Sequence, residues 1–457
     1  MREGQMSNET WGRPDVSNSG SDQPMDEAFR AVKEALARHR DVSAWRATLT
    51  STKSQQLYLI REDVESERTA LGHTIDVELH TRNGSELGRG SFSLGPGEEA
   101  RLDELMSQTL AAAKKSSVPG YSLPLPAPLP DVETSDREII EHPSRALESL
   151  RSRLSDALAA QRNVRNASAE FFVHHDVSRM ETSTGVLADL SGTRSTAEIV
   201  LLGTGRNGRE AEVQGLRYRR TAEDLDISRW VAGLADESRD AGDAEIMSTW
   251  KGPVLLRSDV AGAFFGPVVQ RVTGDTVYRK MSPYEIGNSL TNQDPRGDRL
   301  DLSSDRTLPH GLRTAPCDGE GVPAFSAPLV QGGVVKRFVA DARYAHYLGA
   351  EPTGAWSNLV VAPGARSTED LLRGGEVLEV VRFSWFTPSF GTGDFASEMR
   401  LGYLHRNGQR RPVKGAAVTG NVFANLEHAF FSQETEFIGD GDVPRYIRLE
   451  DVDVVGT

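Results

Sequence analysis

The 457-residue chain has a single cysteine, Cys317. An intramolecular disulfide is therefore impossible, and so is any zinc or iron site built on a cysteine cluster. No run of about eighteen apolar residues occurs, which excludes a spanning helix. Clustered positive charge is scarce as well. The formal net charge is −14, and the basic patches Arg217-Tyr218-Arg219-Arg220 and Arg410-Arg411 are short enough to read as solvated faces. Phosphate binding rests on clustered Lys and Arg, so no nucleic-acid partner is expected. Two further patterns are missing: the H-x-x-x-H or H-E-x-x-H spacing of a helical zinc site, and the G-x-S-x-G of a nucleophile elbow.

Residues 1–24 are rich in Gly, Ser, Asn, Asp and Pro and lack an apolar signal region, so a disordered tail is expected. With the lone cysteine, this fits a cytosolic protein. From residue 25 the apolar spacing Ala28-Phe29, Val32, Ala35-Leu36 predicts a helix. Strand-like runs follow at Ala44–Leu49, Gln56–Arg61, Thr74–His80 and Gly88–Leu94, then a second helix over Leu102–Ala113. These make an α/β layer domain over 25–116. Alternating prolines in Ser117–Asp131 favour extended geometry, and 117–136 is read as a linker or a strap laid over a surface. A middle segment, 137–245, opens with a helix over Ser144–Gln161, continues with strands around Ala167–His175 and Arg194–Leu202, and closes with a helix over Asp224–Leu234. Residues 246–457 are dominated by strands and Gly/Pro turns. The expected fold class is α+β, with a mainly antiparallel β C-terminal domain.

Isolated chemistry candidates do not rise above bland readings. Gly203-Thr204-Gly205-Arg206-Asn207-Gly208 matches G-x-G-x-x-G, but no apolar-faced helix follows and Asn207-Gly208 is a hairpin turn. His174-His175-Asp176 is the densest group of metal-ligand types, yet neighbours on a strand point to opposite faces. Cys317, His310, His346, Ser326 and Asp318 are the remaining candidates for a hydrolytic site; no motif joins them.

The most specific stretch is Asp318–Gly349. Val322–Val330 and Val334–Ala340 read as a hairpin joined by Gln331-Gly332-Gly333, followed by a short helix with Asp341 as N-cap and Gly349 as its stop. An acidic residue, E-G-x-P, a hairpin, D-x-x-x-A-x-x-L-G and the pair Thr353-Gly354 resemble the C-terminal region of the TldD/PmbA (TldD/TldE) family. Gly391-Thr392-Gly393-Asp394-Phe395, Leu401-Gly402-Tyr403-Leu404 and Arg411-Pro412-Val413-Lys414-Gly415, running on to Thr419-Gly420-Asn421, extend the similarity over about the last two hundred residues.

The resemblance carries its own implication about chemistry. The active TldD subunit of that family has H-E-x-x-x-H followed closely by E-G-D, with a distant C-terminal cysteine as a further zinc ligand. With Gly274-Asp275 fixing the register, Phe265 stands at the first histidine, Gly266 at the glutamate, Gln270 at the second histidine and Thr273 at the downstream acid. None of these supplies a good zinc ligand or a base, and no cysteine follows Cys317. The resemblance therefore implies a TldE (PmbA)-like subunit without catalytic or metal-ligating residues. Such a subunit would pair as a heterodimer with a TldD-like, zinc-bearing partner and support cleavage of small or unfolded peptides, in maturation or degradation. Two other readings stay open: a metal-independent hydrolase or small-molecule enzyme using Cys317, Asp318 and His310, and a scaffold homodimer.

Overall fold

The computed structural model describes residues 23–292 and 294–456. The expected tail lies outside them, apart from Gln23 and Pro24, which open the first helix. The chain is α+β, and its first half is built on one seven-stranded antiparallel sheet.

Strand Val42–Ile60 is the centre of that sheet. It pairs with Asp63–Asn83 along one edge and with Val164–Thr182 along the other, so the stretches 25–116 and 137–245 share a sheet. Ala44–Leu49 and Gln56–Arg61, expected as separate strands, form one continuous strand. The polar link 51–55 stays extended because its backbone groups are bonded on both sides. Ala47, Leu49, Leu57 and Leu59 fall on alternate positions and are buried, as strand periodicity requires. Helices Gln23–Arg38 and Leu102–Ala113 pack with Ala47 and Leu49. Helices Pro143–Ala159 and Ile227–Asp243 pack with Leu57 and Leu59. The last of these differs from the expected Asp224–Leu234: Asp226 takes a left-handed backbone that ends the short turn Glu223–Leu225, and the helix then runs on to Asp243.

Only Val118–Pro119 of the proline-bearing segment pairs as a strand. The rest is a strap between the two halves. The Thr184 hydroxyl donates to the Pro124 carbonyl at 2.5 Å, the Thr193 amide to Thr134 at 2.9 Å, and the His310 amide to Glu133 at 3.3 Å.

The second half holds a six-stranded sheet and an eight-stranded one. In the latter, Val377–Phe383, Trp250–Arg257, Tyr446–Gly456, Ala416–Asn421 and Asp394–Arg406 pair in that order, and the last pairs back onto the first. The five strands thus close into a ring. Val381, Leu401 and Tyr403 from its wall join the core beneath helix Ile227–Asp243, which is thereby held between the seven-stranded sheet and the ring. No helix among the described residues is long and apolar enough to cross a membrane.

The hairpin is present but shorter than expected. The return strand of the hairpin is only Val334–Val335, which pairs with the end of Ser326–Gln331 across Gly332 and Gly333, both at positive φ, the backbone of a two-residue hairpin turn; the other edge of Ser326–Gln331 pairs with Leu302–Asp305. Beyond Val335 the Lys336 and Arg337 amides both reach back to the Leu329 carbonyl, which ends the ladder. Val322–Ala324 lies outside the strand, with a bridge between Cys317 and Pro323.

Candidate functional site

Helix Ala261–Arg271 follows the ring strand Trp250–Arg257 through the turn Ser258–Val260. It carries Phe265, Gly266 and Gln270, with Thr273 just beyond its end. Phe265 is fully buried, its ring 5.2 Å from that of Phe264 and 5.9 Å from that of Phe431. Gln270 is exposed, and its amide donates to the Thr276 hydroxyl at 2.7 Å. The two positions face core and surface respectively. They do not converge on one point. Gly266 abuts the Phe390 ring, which a Cβ would approach to 3.0 Å, and the Thr273 hydroxyl is spent on the Val269 carbonyl. Pro267 inside the helix withholds one backbone donor from it. Among the described residues, no three His, Cys, Asp or Glu side chains are grouped to hold a metal ion.

The remaining candidates are dispersed. Cys317 is buried against Met180, Val186 and Ala188, and burial with Asp318 beside it pushes its thiol up to about 11. A neutral thiol in an apolar site is a poor nucleophile. His310 pairs with Glu133 at 3.3 Å, while His346 and Ser326 are exposed. No hydrogen bond among the described residues links these groups to one another. His174 and His175 stand side by side on Val164–Thr182; burial lowers both, helped by Arg194 at His174 and Lys53 at His175. The G-x-G-x-x-G stretch is the expected turn. Asp243 accepts from the Arg206 and Asn207 amides, and strand Glu210–Arg219 follows.

The acidic residues of the hairpin region hold backbone. One Asp318 carboxylate oxygen accepts from the Glu320 and Val322 amides, the other from Ala355. Glu320 accepts from the Ala342 amide at the head of helix Ala342–Leu348, which Asp341 caps through Tyr344. Burial, then the neighbouring Asp341 and Asp318, push the Glu320 carboxyl up to about 7. Between its unfolded value near 4.5 and about 7, the folded chain keeps this proton and the unfolded chain releases it. Stability then falls as pH rises through that window and levels off above it. Glu320→Gln keeps the acceptor oxygen and removes the titration. Between pH 5 and pH 8 it is expected to gain on the order of 3 kcal/mol relative to the native chain, read from urea midpoints at both pH values. Parallel pH profiles for the two proteins would contradict this assignment.

The reading of Arg217–Arg220 as a solvated face is corrected by the structure. Arg219 is buried, and its guanidinium donates to the Phe437 carbonyl at 3.0 Å. Arg220 donates to the carbonyls of Gly311, Thr193, Leu312 and Thr314, clamping the two halves together. Sequence alone marked these as charged residues without showing that facing carbonyls would take up their donors. Beside them lies a cleft of about 780 Å³ between helix Ile227–Asp243 and the start of helix Ala261–Arg271, a feature for which the sequence held no signal.

On the wall of the cleft is an ion network of half-buried arginines and buried carboxylates. Arg257 pairs with Glu237 at 2.7 Å and with Glu379 at 3.0 Å, and Arg382 pairs with Glu237 at 2.8 Å. His405 and the Tyr446 hydroxyl complete the shell of Glu379. Burial alone would raise the Glu379 carboxyl, but the His405 hydrogen bond and the Arg257 guanidinium outweigh it and hold it down to about 2.

Comparison with known proteins gives a consistent picture. Residues 249–456 match the PmbA/TldA metallopeptidase C-terminal domain. The metalloprotease PmbA of Escherichia coli O157:H7 is 28% identical over 297 residues, 64% of this chain and 63% of that protein. A zinc metalloprotease TldD homolog of Saccharolobus solfataricus is 27% identical over 193 residues, 38% of this chain and 42% of that one. The chain thus matches less than two thirds of the length of these curated relatives. In fold it is similar to TldE from Thermococcus kodakarensis, with a TM-score of 0.77 at 19% identity, covering 94% of this chain and 100% of that one. A putative modulator of a DNA gyrase from Thermotoga maritima aligns with a TM-score of 0.78 at 18% identity, over 95% and 100% of the two chains.

Proposed function

Because this chain belongs to the TldD/PmbA family and is TldE-like, we propose that it is the subunit of a TldD/TldE-type heteromeric peptidase that binds no catalytic metal. The observation that carries this reading is the helix Ala261–Arg271. At the positions where the family's zinc subunit has two histidines and a glutamate, this chain has a core phenylalanine, a glycine against an aromatic ring, and a surface glutamine. Zinc ligation needs imidazole, thiolate or carboxylate donors converging on one point. Here the side chains lack the donors and also diverge.

The same helix favours a partner surface. Phe390, which lies on Gly266, is 59% exposed, and Trp385 in the same loop is 76% exposed. On the other side, Met281 and Ile286 are also exposed. Arg271 ties the two segments together: it donates to the Gly391 carbonyl at 2.9 Å and lies over the Phe423 and Tyr284 rings. Large apolar side chains exposed together around one element are characteristic of an interaction site. Their occupant in this reading is a TldD-like, zinc-bearing subunit, with a small or unfolded peptide as the shared substrate and the cytosol as the setting. The chain's own contribution is to complete the groove and exclude water around the partner's metal.

The test is to purify the chain alone and with a TldD-like partner, then measure zinc and peptide cleavage in each. The expected result is zinc and cleavage in the pair, with neither in the lone chain. Stoichiometric zinc together with cleavage by the lone chain overturns the proposal.

A further inference from the structure

The cleft beside the ion network has features that folding does not explain. Arg217 lines it without a carboxylate at ion-pair distance among the described residues. Its guanidinium donates to the Leu225 carbonyl at 3.1 Å and lies 4.7 Å from the centre of the Trp230 ring. Burial, and Arg219 as a like-charged neighbour, bring Arg217 down to about 10, the behaviour of a cation short of a counter-anion. Asp259, on another wall, is the reverse case. It lines the cleft and has neither a side-chain hydrogen bond nor an ion pair among the described residues, while burial, against the pull of Arg382 and Arg257, raises its carboxyl. Asp226 and Glu436 act on Arg217, and Arg382 and Arg257 on Asp259, but none stands at ion-pair distance: Arg257 and Arg382 are committed to Glu237, and Glu436 accepts from the Ser258 hydroxyl at 2.7 Å.

Two glycines supply an independent observation. Gly233 lies inside helix Ile227–Asp243, and Gly262 is the second residue of helix Ala261–Arg271. Both line the cleft, both are exposed, and a Cβ at either would meet nothing within 4 Å. Glycine inside a helix is less stable than alanine, and no packing contact or left-handed backbone demands it here. Their effect is to keep the opposing helices bare where they face the cavity. At about 780 Å³ the space falls within the range of small-ligand pockets, about 300–1,000 Å³.

We propose that this cleft binds a small zwitterion of the α-amino acid class, free or as a short oligomer, with its carboxylate on Arg217 and its ammonium on Asp259. A guanidinium matches a carboxylate through two parallel N–H donors. Asp259 takes the ammonium in the same cavity, so each end of the ligand meets a charged group that has no direct ion-pair partner among the described residues. Arg229, exposed at the rim, adds a cation at the entrance. The inference concerns binding by this chain alone and stands whether or not the peptidase reading holds.

Titration calorimetry on the full chain with glycyl-leucine, N-acetyl-glycyl-leucine and glycyl-leucinamide separates the two charges. The expected result is saturable binding of glycyl-leucine, weakened about tenfold or more, equivalent to about 1.4 kcal/mol, by capping either end. The same loss is expected in Asp259→Asn. Gly233→Leu improves helix propensity while filling the cavity; it is expected to abolish binding with the thermal midpoint kept or raised. No binding of glycyl-leucine to the native chain overturns the proposal. So does equal binding of a capped form, or unchanged binding by a folded Gly233→Leu protein.

Discussion

Replacing Glu379 with alanine is expected to cost the fold about 3–5 kcal/mol. Glu379 is 5% exposed and takes hydrogen bonds from Arg257, His405 and Tyr446. Its removal leaves the Arg257 guanidinium with Glu237 alone, and Glu237 already serves Arg382. A half-buried cation stripped of half its counter-charge is costly because water can reach it only from the cleft and replaces the lost partner incompletely. Glu379→Gln retains an acceptor for Tyr446 and should recover part of the loss. The pH dependence follows from the depressed carboxyl. Stability from this group is fully present above the unfolded value near 4.5, and it is lost as pH falls toward about 2. Urea midpoints for the native chain, E379A and E379Q at pH 7 provide the check. A loss in E379A below about 1 kcal/mol, the scale of exposed pairs, would show that the network is screened by water from the cleft.

Placing a histidine at position 265, where the proposed register puts the zinc subunit's first ligand, should be almost as damaging. Phe265→His removes a fully buried ring packed between Phe264 and Phe431 and places an imidazole where no polar partner stands. The cavity and the unsatisfied polar group together are expected to cost at least about 3 kcal/mol. The triple variant F265H/G266E/Q270H introduces the H-E-x-x-x-H pattern into this helix. Because 265 points inward and 270 outward, it is expected to bind no stoichiometric zinc, as measured by metal analysis after gel filtration. Stoichiometric zinc in a folded triple variant would mean that the helix readily rotates into a ligating register, and that only side-chain identity keeps zinc from this helix.

The parts of the fold that were legible in the sequence are those in which local chemistry and backbone geometry coincide. Asp341 caps Tyr344 and Gly349 takes the left-handed stop. Asn421 caps helix Val422–Leu426 and reaches back to Thr392 and Asp394, so several residues that carried the family resemblance are structural nodes. Lys414 is another, donating to the Ala241 carbonyl across to helix Ile227–Asp243. Features set by distant pairing were not legible. The polar stretch 51–55 looked like a break, because nothing local announces that Val164–Thr182 will pair beside it. Arg217–Arg220 looked solvated, because the carbonyls that receive Arg220 come from around residues 311–314. The candidate site divided in the same way. That Phe265, Gly266 and Gln270 offer no good metal donor was visible by residue type alone, whereas the cleft at Arg217 and Asp259 depends on how two helices meet.

The ring of strands has a consequence for the order in which the molecule is made. Trp250 pairs with Val454, and Tyr446–Gly456 sits between Trp250–Arg257 and Ala416–Asn421. Until that strand has been synthesised, the ribosome-bound chain displays two unpaired edges and the apolar lining of an open ring. Loop-closure entropy makes such long-range pairings slow, and exposed edges invite association with other chains. The seven-stranded sheet is complete much earlier in synthesis, since its last strand ends at Arg219. Translation thus presents a finished sheet tethered to a half that is still sticky, an interval in which a chaperone has the most to protect.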